Sequence, residues 1–191
     1  MTLPIFTAIC NEPEGTVERG VYPLIFTPEN LQKFWDKAKQ FPTIYGMEIK
    51  DVSDFYNLFV NQSDGNLSLN GLFWVIDDFV GVFYLTDITA TEASVHYSFF
   101  DRRHKGRVPL VKKMLKFVFE KYKFRRINAS IPLYTRPFTR HFASNIGFTL
   151  EGKKRKASFF KGDWYDVLQY GMLMEEVFPK PKENTGGSTA N

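Results

Sequence analysis

Phe99-Phe100-Asp101-Arg102-Arg103-His104-Lys105-Gly106-Arg107-Val108-Pro109 is the run that decides the fold of this chain. Before it, residues 92–99 alternate strictly. Ala93, Val95, Tyr97 and Phe99 fall on one face, while Glu92, Ser94, His96 and Ser98 fall on the other, which is the period of a strand. After it, Leu110, Val111, Met114, Leu115, Val118 and Tyr122 recur at helical spacing, with Lys112, Lys113, Lys116 and Glu120 between them. A helix from Pro109 to Tyr122 is expected. A strand that feeds a glycine-bearing, arginine-rich loop and then a helix start suits an anion. Backbone N–H groups of the loop and first turn converge on it, and the helix dipole adds favourable partial charge.

Outward from this run, the elements follow in a readable order. Residues 1–20 read as irregular, and Val21 to Phe26 as a short strand. Thr27-Pro28-Glu29 has the N-cap, first-position proline and early acid of a helix start, and that helix should end near Phe41-Pro42. A second helix is expected from Val52 to Val60 behind an Asp51 cap, and a polar loop from Asn61 to Asn70. Leu72 to Ile76 and Phe79 to Asp87 read as a hairpin around Asp77-Asp78. Beyond the central helix come a strand from Arg126 to Ile131 and a short helix from Pro137 to Ile146, stopped by Gly147. A last hairpin pairs Phe148 to Phe160 with Asp163 to Met174 around Lys161-Gly162. Residues 1–178 then form one domain, and 179–191 a disordered tail.

Composition narrows the class. With 191 residues, 43% of them hydrophobic, and 20 Phe, 9 Tyr and 3 Trp, the chain can bury a substantial core. Cys10 is the only cysteine, which removes intrachain disulfides and cysteine metal clusters. The three histidines are too scattered for a zinc site. Met1 to Cys10 lacks the basic start and long apolar run of a secretory signal, and no apolar run approaches a membrane span, so a cytoplasmic setting is expected. The net charge of +4 conceals a polarity along the chain. Residues 1–100 carry 5 Lys/Arg against 13 Asp/Glu, whereas residues 101–161 carry 18 against 3. Such a basic segment can serve a polyanion, a phosphorylated cofactor or solubility.

Three stretches together resemble the GCN5-related N-acetyltransferase (GNAT) superfamily. One is Arg103-x-x-Gly106-x-Val108 with its strand and helix. Another is Arg126-Ile127-Asn128-Ala129-Ser130-Ile131 followed by the helix closing in Asn145-Ile146-Gly147-Phe148. The third runs from Glu151-Gly152-x-x-Arg155 through Gly162-x-Trp164-x-Asp166-x-x-x-Tyr170-Gly171-x-Leu173, and looks like the ribosomal-protein N-terminal and polyamine acetyltransferase subgroup. The resemblance covers roughly residues 20–175. It implies an α/β (α+β mixed) fold: a central, mostly antiparallel twisted sheet of about six or seven strands, flanked by about four helices.

The resemblance also implies acetyl-CoA as acyl donor and CoA as product, with the pyrophosphate on the loop and the pantetheine arm along the preceding strand. The residues it would assign to the cofactor are Phe99, Arg102, Arg103, His104, Lys105, Gly106, Arg107 and Val108. Arg136 and Thr139 stand where the family commonly has Asn and Ser. Here Val108 replaces a small residue, Pro109 removes a backbone donor, and Ala143 stands where a proton-donating tyrosine is common. On the same resemblance, Arg102, Arg103, Lys105 and Arg107 would compensate through side-chain contacts to phosphate.

Acetyl transfer to an amine needs the neutral amine, whose free pKa is near ~10, and a route for its proton. Glu92 and His96 share the polar face of the strand that would line the cleft, and Tyr134 is a nearby proton donor; these three are the catalytic candidates. The plain alternative for each is a solvated strand face or a satisfied side chain. The leading expectation is therefore an N-acetyltransferase acting on an amine-bearing substrate: a protein N-terminus, a lysine or a polyamine-like molecule. It would work as a monomer or homodimer away from the membrane. The alternatives are a family-fold module without turnover, and a nucleic-acid binder using the basic segment.

Overall fold

The computed structural model describes residues 20–44, 49–63, 66–101 and 105–179, with only the backbone at 61–63 and 66–68. The irregular start, Arg102, Arg103, His104 and all but the first residue of the expected tail lie outside the described residues.

The chain begins with β1 (Val21–Pro23) and α1 (Pro28–Ala38). Thr27 caps α1 as expected, its hydroxyl accepting from the Asn30 N–H at 3.1 Å. Next comes α2 (Val52–Asn57), capped by Asp51, whose carboxylate accepts from the Ser53 and Asp54 N–H groups. This helix stops three residues before the expected Val60. The expected polar loop is instead a hairpin, β2 (Val60–Ser63) with β3 (Asn66–Leu69). Its polar composition hides the pairing, because the strands read as loop when few residues are apolar. The Asn70 N–H closes its base on the Phe59 carbonyl.

A meander follows: β4 (Gly71–Ile76), β5 (Gly81–Thr86) and β6 (Glu92–Phe99), each antiparallel to the last. Helix α3 (Arg107–Tyr122) starts two residues earlier than expected, with Gly106 at its N-cap in the left-handed conformation. Pro109 thus occupies the third helical position, still within the turn whose N–H groups precede the intrahelical ladder. Then come β7 (Arg126–Pro132), α4 (Pro137–Ile146), the long hairpin β8 (Thr149–Phe160) with β9 (Asp163–Leu173), and a short unanticipated α5 (Met174–Val177). Gly147, at φ +117°, ends α4 by turning the backbone where a side chain would be strained.

Seven strands form one sheet in the order β1-β4-β5-β6-β7-β9-β8. Only β6 and β7 run parallel. Each face carries its own core. On one face, Leu31, Phe34, Phe55 and Phe59 of the α1–α2 region pack on Phe73, Val82 and Tyr84. On the other, Val111, Met114, Leu115 and Val118 of α3 and Phe142 and Ile146 of α4 pack on Trp74, Phe83, Leu85, Val95 and Ile127. Phe34, Phe55, Trp74 and Phe83 are fully buried, and each such side chain contributes roughly 1.5–3 kcal/mol by leaving water. No helix among the described residues is long and apolar enough to cross a membrane.

Candidate active site

The functional geometry comes from one break in the sheet. Strands β6 and β7 pair only at Glu92↔Arg126, Ala93↔Ile127 and Ser94↔Asn128. Beyond Ser94 they diverge, while β7 stays paired to β9 as far as Pro132 and β6 to β5 as far as Phe99. The result is a wedge-shaped opening through the sheet. Phe100 N–H donates to the Val80 carbonyl, and the Glu92 carbonyl accepts from Thr89. Even-numbered residues of β6 therefore direct their backbone groups to the β5 side, and Tyr97 and Phe99 direct theirs toward the opening.

A cavity of about 660 Å³ occupies the wedge. Its walls are Val95 to Phe99 of β6, Ala129 to Pro132 of β7, the segment Gln40 to Ile44 after α1, and Arg107, Arg136, Thr139 and Phe142. Tyr97 and Phe99 both lean on Phe142, with ring centroids 5.3 and 6.3 Å apart, and so build the side of the cavity under α4.

His96 stands on the opposite side of the sheet plane. Its ring lies flat on Tyr84, centroids 4.6 Å apart and planes 8° from parallel. Its Nε2 lies 2.9 Å from Thr86 Oγ1, and that hydroxyl donates in turn to Asp87 Oδ2 at 3.3 Å. A hydroxyl has one proton to give. Directed to Asp87, that proton leaves Nε2 as the donor to Thr86 and Nδ1 with a lone pair; directed to Nε2, it reverses the two nitrogens. Burial pushes His96 down to about 4, against a smaller opposing pull from Asp87, so the ring is neutral at neutral pH.

Of the other catalytic candidates, Glu92 lies at the closed end of the wedge, where its carboxylate accepts from Asn128 Nδ2 at 3.0 Å. Arg126 stands beside it, bonded to Asn128 Oδ1 and gripping the Glu151 carboxylate with both terminal nitrogens. That grip holds the Glu151 carboxyl below the usual range. Tyr134 stacks on Phe160, 4.4 Å between centroids, and meets Tyr165 edge-on. Neither Glu92 nor Tyr134 lines the cavity.

Among the expected cofactor residues, Phe99, Arg107, Arg136 and Thr139 converge on the cavity wall. Arg107 lies over the Phe99 ring and donates to the Asp101 carbonyl at 2.7 Å. Gly106 has φ +81°, and a Cβ built there would meet nothing within 4 Å among the described residues, so of these none covers the helix start. Lys105 is exposed beside it, and Val108, partly buried, packs against the core that includes α3 and α4. Ala143 is fully buried, and Phe142 faces the cavity in its place. Among the described residues, no cluster of three or more His, Cys, Asp or Glu could hold a metal.

Two wall elements had no sequence signal. Tyr97 reads as one more apolar-face residue, and burial holds its hydroxyl well above the usual tyrosine range, hence protonated. Gln40 to Ile44 reads as a helix end, and only the packing of α1 against the sheet brings it to the wedge.

Comparison with known proteins agrees with this fold. Residues 71–168, just over half the chain, match the family model described as an acetyltransferase (GNAT) domain. A SPbeta prophage-derived uncharacterized N-acetyltransferase, YokL of Bacillus subtilis, is 31% identical over 67 residues. That match spans 35% of this chain and 37% of the relative's length. The fold is similar to that of a Vibrio cholerae spermidine N-acetyltransferase solved with CoA and spermine, at TM-score 0.66 and 15% identity over 84% of this chain and 99% of that one. It is also similar to the ribosomal-protein-S5-alanine acetyltransferase of Vibrio fischeri, at TM-score 0.60 and 14% identity over 85% and 96% of the two chains.

Proposed function

This chain belongs to the acetyltransferase (GNAT) domain family, and from that premise we propose that it moves an acetyl group from acetyl-CoA to a primary amine. The observation that carries the reading is the divergence of β6 from β7 after Ser94, which opens a cavity of about 660 Å³ through the sheet. That volume is typical of small-molecule sites.

Acetyl-CoA, when bound, supplies a thioester carbonyl open to attack. The Gly106 backbone, the first-turn N–H groups of α3, and the guanidinium groups of Arg107 and Arg136 would hold its phosphates. Thr139 and Phe99 would line its path. The inward-directed backbone N–H of Tyr97 or Phe99 is placed to donate to the carbonyl oxygen as negative charge gathers there.

The amine would enter from the His96 side. An imidazole near pKa 4 does not deprotonate a free alkylammonium near ~10, so the amine arrives already neutral. As the C–N bond forms, the nitrogen becomes acidic, and Nδ1 of neutral His96 is the acceptor for its proton. Thr86 and Asp87 position that ring and fix its tautomer. On the far side, protonated Tyr97 is the hydrogen-bond donor for the departing sulfur, a part that Ala143 cannot play.

The deciding experiment measures free-thiol release from acetyl-CoA over a panel of amines: short peptides with free N-termini, lysine peptides and polyamines. Release with one class, and acetylated product by mass spectrometry, supports the reading. Silence across the panel together with failure to bind CoA at millimolar concentration overturns it.

A further inference from the structure

We propose that the β8–β9 hairpin is a binding surface for single-stranded nucleic acid, separate from the cavity and independent of the acetyl-transfer reading. The observation starts at the sheet edge. β8 is the terminal strand, and every residue from Thr149 to Ala157 is exposed, so neither face of this stretch is covered. Between Lys154 and Ser158 the pairing with β9 is interrupted by a bulge, and Lys156 sits at φ +46° with its N–H held by Asp166. The bulge pushes Arg155 and Lys156 out of the ladder. Lys153 is neutralised by Asp166 at 2.9 Å and Arg155 acts on the same carboxylate, but Lys154, Lys156 and Lys161 have no carboxylate in ion-pair contact among the described residues.

Charge alone has an ordinary explanation, because lysines on an edge strand deter strand-to-strand aggregation. That explanation fails for Phe159 and Trp164. These two are cross-strand partners, 50% and 60% exposed, with ring centroids 5.3 Å apart. Bare aromatic rings at an edge invite association rather than prevent it. Lys161 of the turn lies over Phe160 on the other face, so the bulge cations are the ones that serve these rings. Two open ring faces beside the bulge cations match a partner that is both anionic and flat, and that is a chain of nucleobases on phosphates. An anionic membrane fits less well, since the extreme tip is Lys161-Gly162-Asp163 and holds the rings back from an apolar layer. Because the bulge sets three residues against one, Lys154 to Phe160 covers only the stretch of β9 from Val167 to Asp163, about 14 Å, room for roughly two to three nucleotides.

The test uses the full chain and a fluorescent twelve-nucleotide uridine oligomer, read by anisotropy between 50 and 300 mM salt, roughly the range where counterion release is visible. The expected result is saturable binding with a log–log salt slope of about −2 to −3, from three or four phosphate contacts. The triple variant Lys154→Glu/Arg155→Glu/Lys156→Glu should lose at least tenfold in affinity and flatten that slope. Trp164→Ala should lose roughly fivefold or more with the slope unchanged, because stacking is not ionic. Unchanged thermal unfolding midpoints in both variants verify folding, and a milder Trp164→Phe variant should retain most affinity. Absence of wild-type binding at 50 mM salt overturns the proposal. So does binding indifferent to Trp164→Ala, or a polyglutamate peptide or phosphatidylserine vesicle binding as tightly with the same Trp164 dependence.

Discussion

His96 lies face to face with Tyr84, 4.6 Å between ring centroids, while its Nε2 reaches Thr86 at 2.9 Å. A ring so enclosed resists protonation, and its value is pushed down to about 4 from an unfolded value near 6.5. Between these two values the unfolded chain binds the extra proton. Stability is therefore full above about pH 6.5 and declines as the pH falls toward 4, by no more than about 3.5 kcal/mol from this group. Urea unfolding midpoints at pH 7.5 and 5.0 should differ in the wild type. In His96→Gln the difference should shrink, and an undiminished difference would assign the acid sensitivity elsewhere.

Thr86 and Asp87 act on catalysis only through His96 in the proposed scheme. Thr86→Val removes the oxygen that accepts the Nε2 hydrogen, freeing the ring to adopt the other tautomer. The expected effect is a kcat lowered about tenfold with KM for acetyl-CoA little changed, and recovery in Thr86→Ser. Equal losses in the Val and Ser variants would mean that the residue supports the strand and nothing more.

Gly171 belongs to the sequence signature because of what stands over it. A Cβ there would fall 2.5 Å from both Arg126 Nη2 and Glu151 Oε1, inside the grip that closes the paired end of the wedge. Gly171→Ala should cost about 1 kcal/mol or less, because the colliding atoms are the ends of flexible, part-exposed side chains and what is lost is their ion pair. Adding Glu151→Ala should recover part of that loss, because it removes one of the two colliding groups. Chemical denaturation of the three variants checks this, and strict additivity would contradict the collision.

The same contrast explains what was legible in the sequence. β6 and α4 were readable to the residue: β6 alternates without a break, and α4 lies between a first-position proline and a left-handed glycine. β2 and β3 were not, because a polar hairpin has no apolar period to read. The loop and helix start were visible, but α3 begins at Arg107 because Gly106, not Pro109, breaks the extended backbone. At the site, His96, Arg107, Arg136 and Thr139 were identifiable as residue types at meaningful spacings. The Asp87–Thr86–His96 chain was not, since only the β5–β6 register sets Thr86 and Tyr84 beside that ring. Tyr97 was hidden by its own alternation: it reads as core until the wedge gives it a cavity to face.

Arg107 and Arg136 line the cavity near the helix start, whereas Tyr97 lines it beneath Phe142. If the first two hold phosphate, the binding energy they give is present before reaction begins. Their loss should raise KM for acetyl-CoA and leave kcat nearly unchanged. Arg136→Ala, at an exposed N-cap with no side-chain capping bond, should do this without structural cost, by roughly tenfold for a charge-assisted contact worth about 1.5 kcal/mol. Tyr97→Phe should do the reverse. It keeps the ring against Phe142 and deletes only the hydroxyl, so kcat should fall by about ten- to a hundredfold at constant KM. The deficit should narrow with a donor whose leaving thiol is more acidic, because a better leaving group depends less on a hydrogen bond. A Tyr97→Phe enzyme that loses KM instead, or loses equally with every donor, would place the hydroxyl in binding and leave the departing sulfur to water.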